Sequence, residues 1–409
     1  MAESAAMTVR PCATADEMRA AFAPIWHYFG QSAPSEDAVK HFRRVMEPQR
    51  VHAAFEGGKA VAGSGSFPFD LTVPGGQVKA SGITIVGVLP THRRRGLMRA
   101  MMRSQIDAAR SRGEPVAVLW PSEDAIYGRL GFGMAAQSAE IDVLREHAAP
   151  FAEVDVPGEA RLVPLSEAEP FVAPVYDRVA RATPGMFART SAWWQDRLLI
   201  DTDWKRRGGG SLQCAVLEID GAPAGYAFYR VNSWFERGSP AGSVFVVEAM
   251  GVSPDAMFSI WRFLLGIDLV ARVKGIFLPV DHPLLLSVAQ PRRLNFLLRE
   301  GIWIRLIEVG AALSARRYAA GDAVVIEVAD EFCPWNAGRW RIAHGAVENT
   351  GADADLACEA SALGCVYLGG FTWAQLARAL RVKELRPGGL ARADALFRAD
   401  RAPWCPELF

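Results

Sequence analysis

Thr91-His92-Arg93-Arg94-Arg95-Gly96-Leu97-Met98-Arg99-Ala100-Met101-Met102 constrains this chain more than any other stretch. An apolar, β-branched run, residues 83–88, precedes it and reads as a central strand. A helical pattern follows and predicts burial of Leu97, Met98, Met101, Met102, Ile106 and Ala109. A strand that passes through arginines and a glycine into a helix gathers open backbone amides beside positive charge. Such a corner suits a pyrophosphate, and a phosphate-bearing carrier largely fixes the chemistry.

The rest of the composition narrows the classes. The 409 residues exceed one ordinary domain and predict two or three. Lys+Arg and Asp+Glu stand at 45 each, without the basic excess that nucleic acid asks for. The cysteines show no CxxC spacing and the histidines no HExxH, so no metal site is expected. No apolar run approaches the roughly 18 residues of a membrane span. Residues 1–19 lack the apolar centre of a signal peptide, so a cytoplasmic location is expected.

Three α/β units are predicted along the chain. In residues 1–145, Asp16 is expected to cap a first helix, and residues 36–46 form a second. Residues 51–55 and 61–67 read as a hairpin. Residues 115–120 form another strand, and Ser122 is expected to cap a short helix that ends at Gly131. A linker, residues 145–158, leads to a second unit, 158–300, which repeats the order hairpin, strand, helix. Its helix opens Ser253-Pro254-Asp255, with an acid where an anion would sit. The third unit, 301–409, mixes short strands and helices.

Arg93-Arg94-Arg95-Gly96-Leu97-Met98 resembles the pyrophosphate loop of GNAT acyltransferases, Q/R-x-x-G-x-G/A, although Met98 replaces the small last residue. Tyr127-Gly128-Arg129-Leu130-Gly131-Phe132 resembles their Y-x-x-x-G-F corner. Pro90 to Leu97, Ile126 to Arg129, the stretch Leu363-Gly364-Cys365-Val366-Tyr367-Leu368-Gly369-Gly370 and the terminal Phe409 together are similar to the Eis (enhanced intracellular survival) family of N-acetyltransferases. The resemblance implies tandem GNAT-like domains, the second degenerate, followed by a sterol-carrier-protein-like α+β domain. It implies acetyl-CoA as donor, a small-molecule amine as acceptor, and a homo-oligomer, in that family a hexamer.

Acetyl transfer from a thioester needs a deprotonated amine, a stabilised oxyanion and a protonated leaving thiolate. By resemblance, Val86, Gly87 and Val88 offer backbone groups to the donor's arm and thioester. Arg94, Arg95, Gly96, Leu97, Met98 and Arg99 take the pyrophosphate, and Ser122 and Glu123 line the other side. Tyr127 is the expected general acid. A free phenol titrates near 10 and a thiol near 8.5, so this transfer runs uphill by about 2 kcal/mol unless it is coupled to collapse or the site lowers the phenol's pKa. The terminal carboxylate of Phe409 is the expected base. His27, Phe42 and Leu408 are expected at the acceptor pocket, and His27 and Leu408 stand where family members that acetylate aminoglycosides can carry acids. Protein lysine acetylation, or non-catalytic acyl-CoA or lipid binding, remain open alternatives.

Overall fold

A computed structural model describes residues 7–150, 155–206 and 209–409. From its start the chain forms β1 (Thr8–Pro11), α1 (Ala15–Tyr28), α2 (Glu36–Val45), β2 (Val51–Glu56), β3 (Lys59–Val73) and β4 (Gly76–Val88). It continues with α3 (Leu97–Ser111), β5 (Val116–Leu119), α4 (Asp124–Tyr127) and β6 (Gly133–Met134). Thr14, not Asp16, caps α1, its side chain accepting the Glu17 amide. Asp16 lies one residue too late and faces the first turn as an acid instead. Ser122 does not cap α4, whose N-cap position is Glu123 with no side-chain bond. On α3, Gln105 is buried with the predicted residues while Met98 is only half-buried.

Strands β3 and β4 run on well beyond the alternation that announces them, joined through Pro74 and a left-handed Gly75. Near its end β4 carries a bulge: Gly63 pairs with Gly87 but Gly65 with Thr84. Within it Ile85 has φ of 47°, a costly conformation for a β-branched residue that re-aims the backbone after it. Helix α1 lies directly on this bulge. A Cβ at Gly87 would sit 2.8 Å from the Ile25 Cα, and one at Gly63 2.7 Å from the Ala21 carbonyl oxygen. Strands β4 and β5 pair in parallel over Ala80–Gly82 and Val116–Val118 only. Among the described residues, the edge of β4 that faced β5 has no partner strand beyond Gly82.

The chain divides into two compact units, one of residues up to 135 with 302–399 and Phe409, the other of 136–301 with 400–408. In the first, seven strands run in the order β1, β2, β3, β4, β5, Trp303–Leu306, β6. A second sheet in the same unit joins Ala346–Asn349, Gly338–Ala343, Val324–Ala329, Leu356–Glu359 and Val382–Glu384. The other unit is built on seven strands whose parallel pair is Ser243–Val246 with Arg272–Gly275.

Two strands lie on the other side of the boundaries expected at 145 and 301. Gln137–Leu144 pairs in the second unit's sheet, and Trp303–Leu306 fills the gap between β5 and the two-residue β6. Gln137–Leu144 roughly alternates in burial while Trp303–Leu306 is buried along most of its length, and neither pattern carries a record of which sheet a strand enters. Of the expected linker, residues 151–154 lie outside the described residues. Within the first unit, packing beside Trp303–Leu306 is tight: a Cβ on Gly133 would stand 1.9 Å from the Ser361 carbonyl oxygen. Gly133→Ala is therefore expected to cost about 1–3 kcal/mol of stability, read as a lower urea midpoint. An unchanged midpoint would show that the helix Ala360–Val366 can yield.

Candidate active site

The strand-to-helix corner forms an anion cradle from backbone alone. Arg94 and Gly96 both adopt left-handed φ, 61° and 75°, the first with a side chain and the second as the N-cap of α3. Left-handed residues alternating with ordinary ones turn successive amides to one side. No side chain caps α3 and its first turn holds no acid. The amides of Leu97, Met98 and Arg99 thus precede the first helical bond, from Ala100 to Gly96, and the helix dipole adds to them. The equivalent helix of the second unit, Pro254–Gly266, is closed: Ser253 accepts the Ala256 amide and Asp255 occupies the first turn.

The arginines divide their work. Arg95 donates to Glu56 at 2.9 Å, and Glu56 also meets the His92 ring at 2.9 Å. Those bonds, His92 first, hold the Glu56 carboxyl below its ordinary range. Arg95 thus pins the loop to the β2–β3 turn with its side chain and leaves the cradle its amide. Arg93 lies over the Tyr28 ring, 5.3 Å from its centre. Arg94 and Arg99 are exposed.

Val86 and Val88 are half-buried and Gly87 buried, on the stretch of β4 that has left β5. Across that opening stands Tyr127, at the end of α4. It packs with Ile83, Leu119 and Phe132 and is 5% exposed. Burial raises its pKa above the ordinary phenol value, a hydrogen bond with Ser122 offsets part of this, and Tyr28 and Glu123 push it up again. The direction is opposite to a lowered phenol, so coupling to collapse is the route left for proton transfer. Ser122 and Glu123 are exposed beside it.

Phe409 is buried, its ring edge-on to Phe69 at 4.9 Å. Phe69 in turn fills the space a side chain at Gly82 would need, at the point where β4 and β5 part. Phe42 joins Phe22 and Trp26 in an aromatic cluster with ring centres 5.2 and 5.5 Å from its own. His27 is exposed on the adjoining face of α1 and stands outside that cluster, and Leu408 is 57% exposed. Glu407, beside Leu408, is committed elsewhere: it pairs with Arg189 at 2.7 Å and accepts the Trp193 indole N–H.

The resemblance places residues 25–30 on the acceptor-pocket helix but singles out only His27 there, leaving Trp26 and Tyr28 without a role, and Glu56 is read only as part of a hairpin turn. Phe22 and Trp26, four apart on one helix face, were a readable signal for Trp26. Nothing in the sequence pairs Glu56 with residues thirty-six or more positions away.

The chain is similar to known proteins over most of its length. A family model described as an acetyltransferase (GNAT) domain matches residues 9–135 and another of the same description matches 185–306. A sterol carrier protein domain matches 309–406. An uncharacterized N-acetyltransferase of Streptomyces avermitilis is 41% identical over 394 residues, covering 93% of this chain and 94% of its own. N-acetyltransferase Eis of Mycobacterium tuberculosis is 35% identical over 345 residues, 81% of each chain. The crystal structure of Eis1 from Mycobacterium abscessus superposes with a TM-score of 0.85 at 33% identity, covering 99% of this chain and 100% of that one. Tandem GNAT folds followed by a sterol-carrier-like fold, with one open helix start, define an N-acetyltransferase. The chain belongs to the Eis family of GNAT N-acetyltransferases.

Proposed function

We propose that the chain transfers acetyl from acetyl-CoA to a primary amine of a small molecule, aminoglycoside-like or another polyamine, by direct attack in a ternary complex. The open, acid-free start of α3 carries this reading, because it follows the strand whose Ile83 and Val86 belong to or pack against the apolar cluster that holds Tyr127. Acetyl-CoA, when bound, supplies an activated acetyl group on a thiol that leaves as its anion. The residues fit it: the amides of residues 96–99 with Arg94 and Arg99 hold the pyrophosphate. The unpaired edge at Val86, Gly87 and Val88 holds the amide-rich arm as a partial strand.

Tyr127, like any phenol, is protonated at neutral pH, burial raises its pKa further, and it donates its proton to the departing sulfur. The Phe409 carboxylate takes a proton from the incoming ammonium. The ring contact with Phe69 holds this last residue in place. By family resemblance His27, Phe42 and Leu408 border the acceptor, and His27 and Leu408 stand where family members that act on aminoglycosides can carry acids. By family resemblance the enzyme is a cytoplasmic homo-oligomer, a hexamer, checked by light scattering.

The test is free-thiol release from acetyl-CoA across a panel of aminoglycosides, polyamines and lysine peptides. Small amines are expected to give turnover and peptides none; donor binding without thiol release from any amine would favour an acyl-CoA-binding protein instead. Deleting Phe409 moves the terminal carboxylate back by about 3.5 Å and removes the anchoring ring. A drop of about 100-fold in kcat is expected, with donor affinity kept. Unchanged kcat would remove the terminus from the chemistry.

A further inference from the structure

Apart from the terminal Phe409, the sterol-carrier-like part of the chain has no role in the reaction described above, yet one of its loops packs on the donor helix. Phe332 and Trp335 belong to residues 330–336, and three arginines of α3 lie against their rings. Arg99 stands 4.8 Å from the centre of the Phe332 ring and Arg103 4.0 Å from it, while Arg110 is 4.3 Å from that of Trp335. Arg103 is consumed by this packing. It donates to the Phe332 carbonyl oxygen and faces Asp107 at 3.7 Å. Arg110 is likewise taken by Glu308. Among the described residues Arg99 has no such partner: its guanidinium is exposed, in the first turn of a helix with no acid there.

Resting on the donor reading above, we propose that Phe332 is a positioning residue for the donor site. Its ring holds the Arg99 guanidinium ready for a donor phosphate, so the C-terminal domain completes the site. A carboxylate in place of the ring would fix Arg99 equally well but would use up its N–H groups and cancel its charge. An aromatic face attracts the cation through its quadrupole and leaves the in-plane N–H edge open for bidentate bonding to phosphate. The ring is itself held: Phe332 is 3% exposed and lies in the cluster that contains Ile83, Met102 and Tyr127. A freely rotating arginine would lose most of its rotamer freedom on binding, and the shelf removes part of that cost beforehand.

Calorimetric titration with CoA, together with KM and kcat for acetyl-CoA, tests this on the full chain. Phe332→Leu is expected to weaken CoA about tenfold and raise KM similarly, with kcat within about twofold; Phe332→Tyr is expected to restore both. Arg99→Gln, which leaves the apolar cluster intact, should cost the same tenfold. In the Arg99→Gln background, Phe332→Leu should then add nothing. An unchanged dissociation constant in Phe332→Leu overturns the inference while leaving the donor reading in place. So does an equal loss when Arg99 is already gone, since that marks plain packing. Absence of CoA binding by the wild-type chain would overturn the donor reading itself.

Discussion

Tyr127→Phe is expected to lower kcat by about a thousandfold while donor affinity and thermal stability stay close to wild type. The variant removes one oxygen. The ring keeps its contacts with Ile83, Leu119 and Phe132, and Ser122, which is exposed, can turn its hydroxyl to water. What is lost is a proton held where the sulfur leaves. The direction of the tyrosine's shift sets the pH behaviour. Burial favours the neutral phenol, so its folded pKa lies above the ordinary value near 10. An acid must be protonated to act. Tyr127 is therefore competent throughout the neutral and mildly alkaline range, and its loss of function lies above about pH 10. Any alkaline fall in kcat below pH 9 must come from another group. The same linkage lowers stability only above pH 10, where the unfolded phenol ionises before the folded one. Single-turnover rates of wild type and variant over pH 6–10 decide the matter. A variant that keeps more than a tenth of wild-type kcat, or a wild-type alkaline limb near 8 that vanishes in the variant, would take the acid role away from Tyr127.

The raised phenol also marks a limit of what the sequence could say. The donor corner was legible because its signals are local: arginines, Gly96 and the helix pattern lie within a dozen residues, and the physics of a helix start acts over that range. The contrast with the second unit was legible for the same reason, in Ser253 and Asp255. The sheet's extent was not. Alternation between residues 61 and 67 revealed a strand, but β3 owes its full length to pairing with β4, a property of two segments together. The bulge at Ile85, the separation of β4 from β5, and the placement of Trp303–Leu306 are likewise long-range facts. Half of the candidate site followed the same division. The arginine loop could be named from local physics, and Tyr127 only from its resemblance to a known family's corner. That Arg95 spends its side chain on Glu56, or that Phe332 lies under Arg99, depends on segments 39 and 233 residues apart meeting, which no local pattern encodes.

The other large effect is expected at Asp330, where this long-range assembly is concentrated. Arg305, on the strand that separates β5 from β6, is fully buried and forms two bonds to the Asp330 carboxylate at 2.8 and 2.7 Å. The same guanidinium donates to the Leu130 carbonyl, and a Cβ at Gly131 would collide with it at 1.5 Å. Residues 127–131 are the corner that carries Tyr127, so a side chain remote in sequence holds that turn in place. Asp330→Ala leaves the guanidinium buried and uncompensated, strands the Cys333 amide that Asp330 accepts at 2.8 Å, and removes one of three acceptors of the Asn336 side chain, at 3.1 Å, which keeps the Leu306 and Ile307 carbonyls. A loss of about 3–5 kcal/mol is expected in urea unfolding. Arg305→Met should cost less, because Asp330 keeps those two donors while an apolar chain fills the space. Arg305→Met nonetheless frees the Leu130 carbonyl, so in the fraction that remains folded kcat should fall more than KM rises. If Asp330→Ala unfolds within 1 kcal/mol of wild type, the pair is not the clamp its geometry describes. If Arg305→Met is as destabilising as Asp330→Ala, the two extra donors to Asp330 contribute nothing.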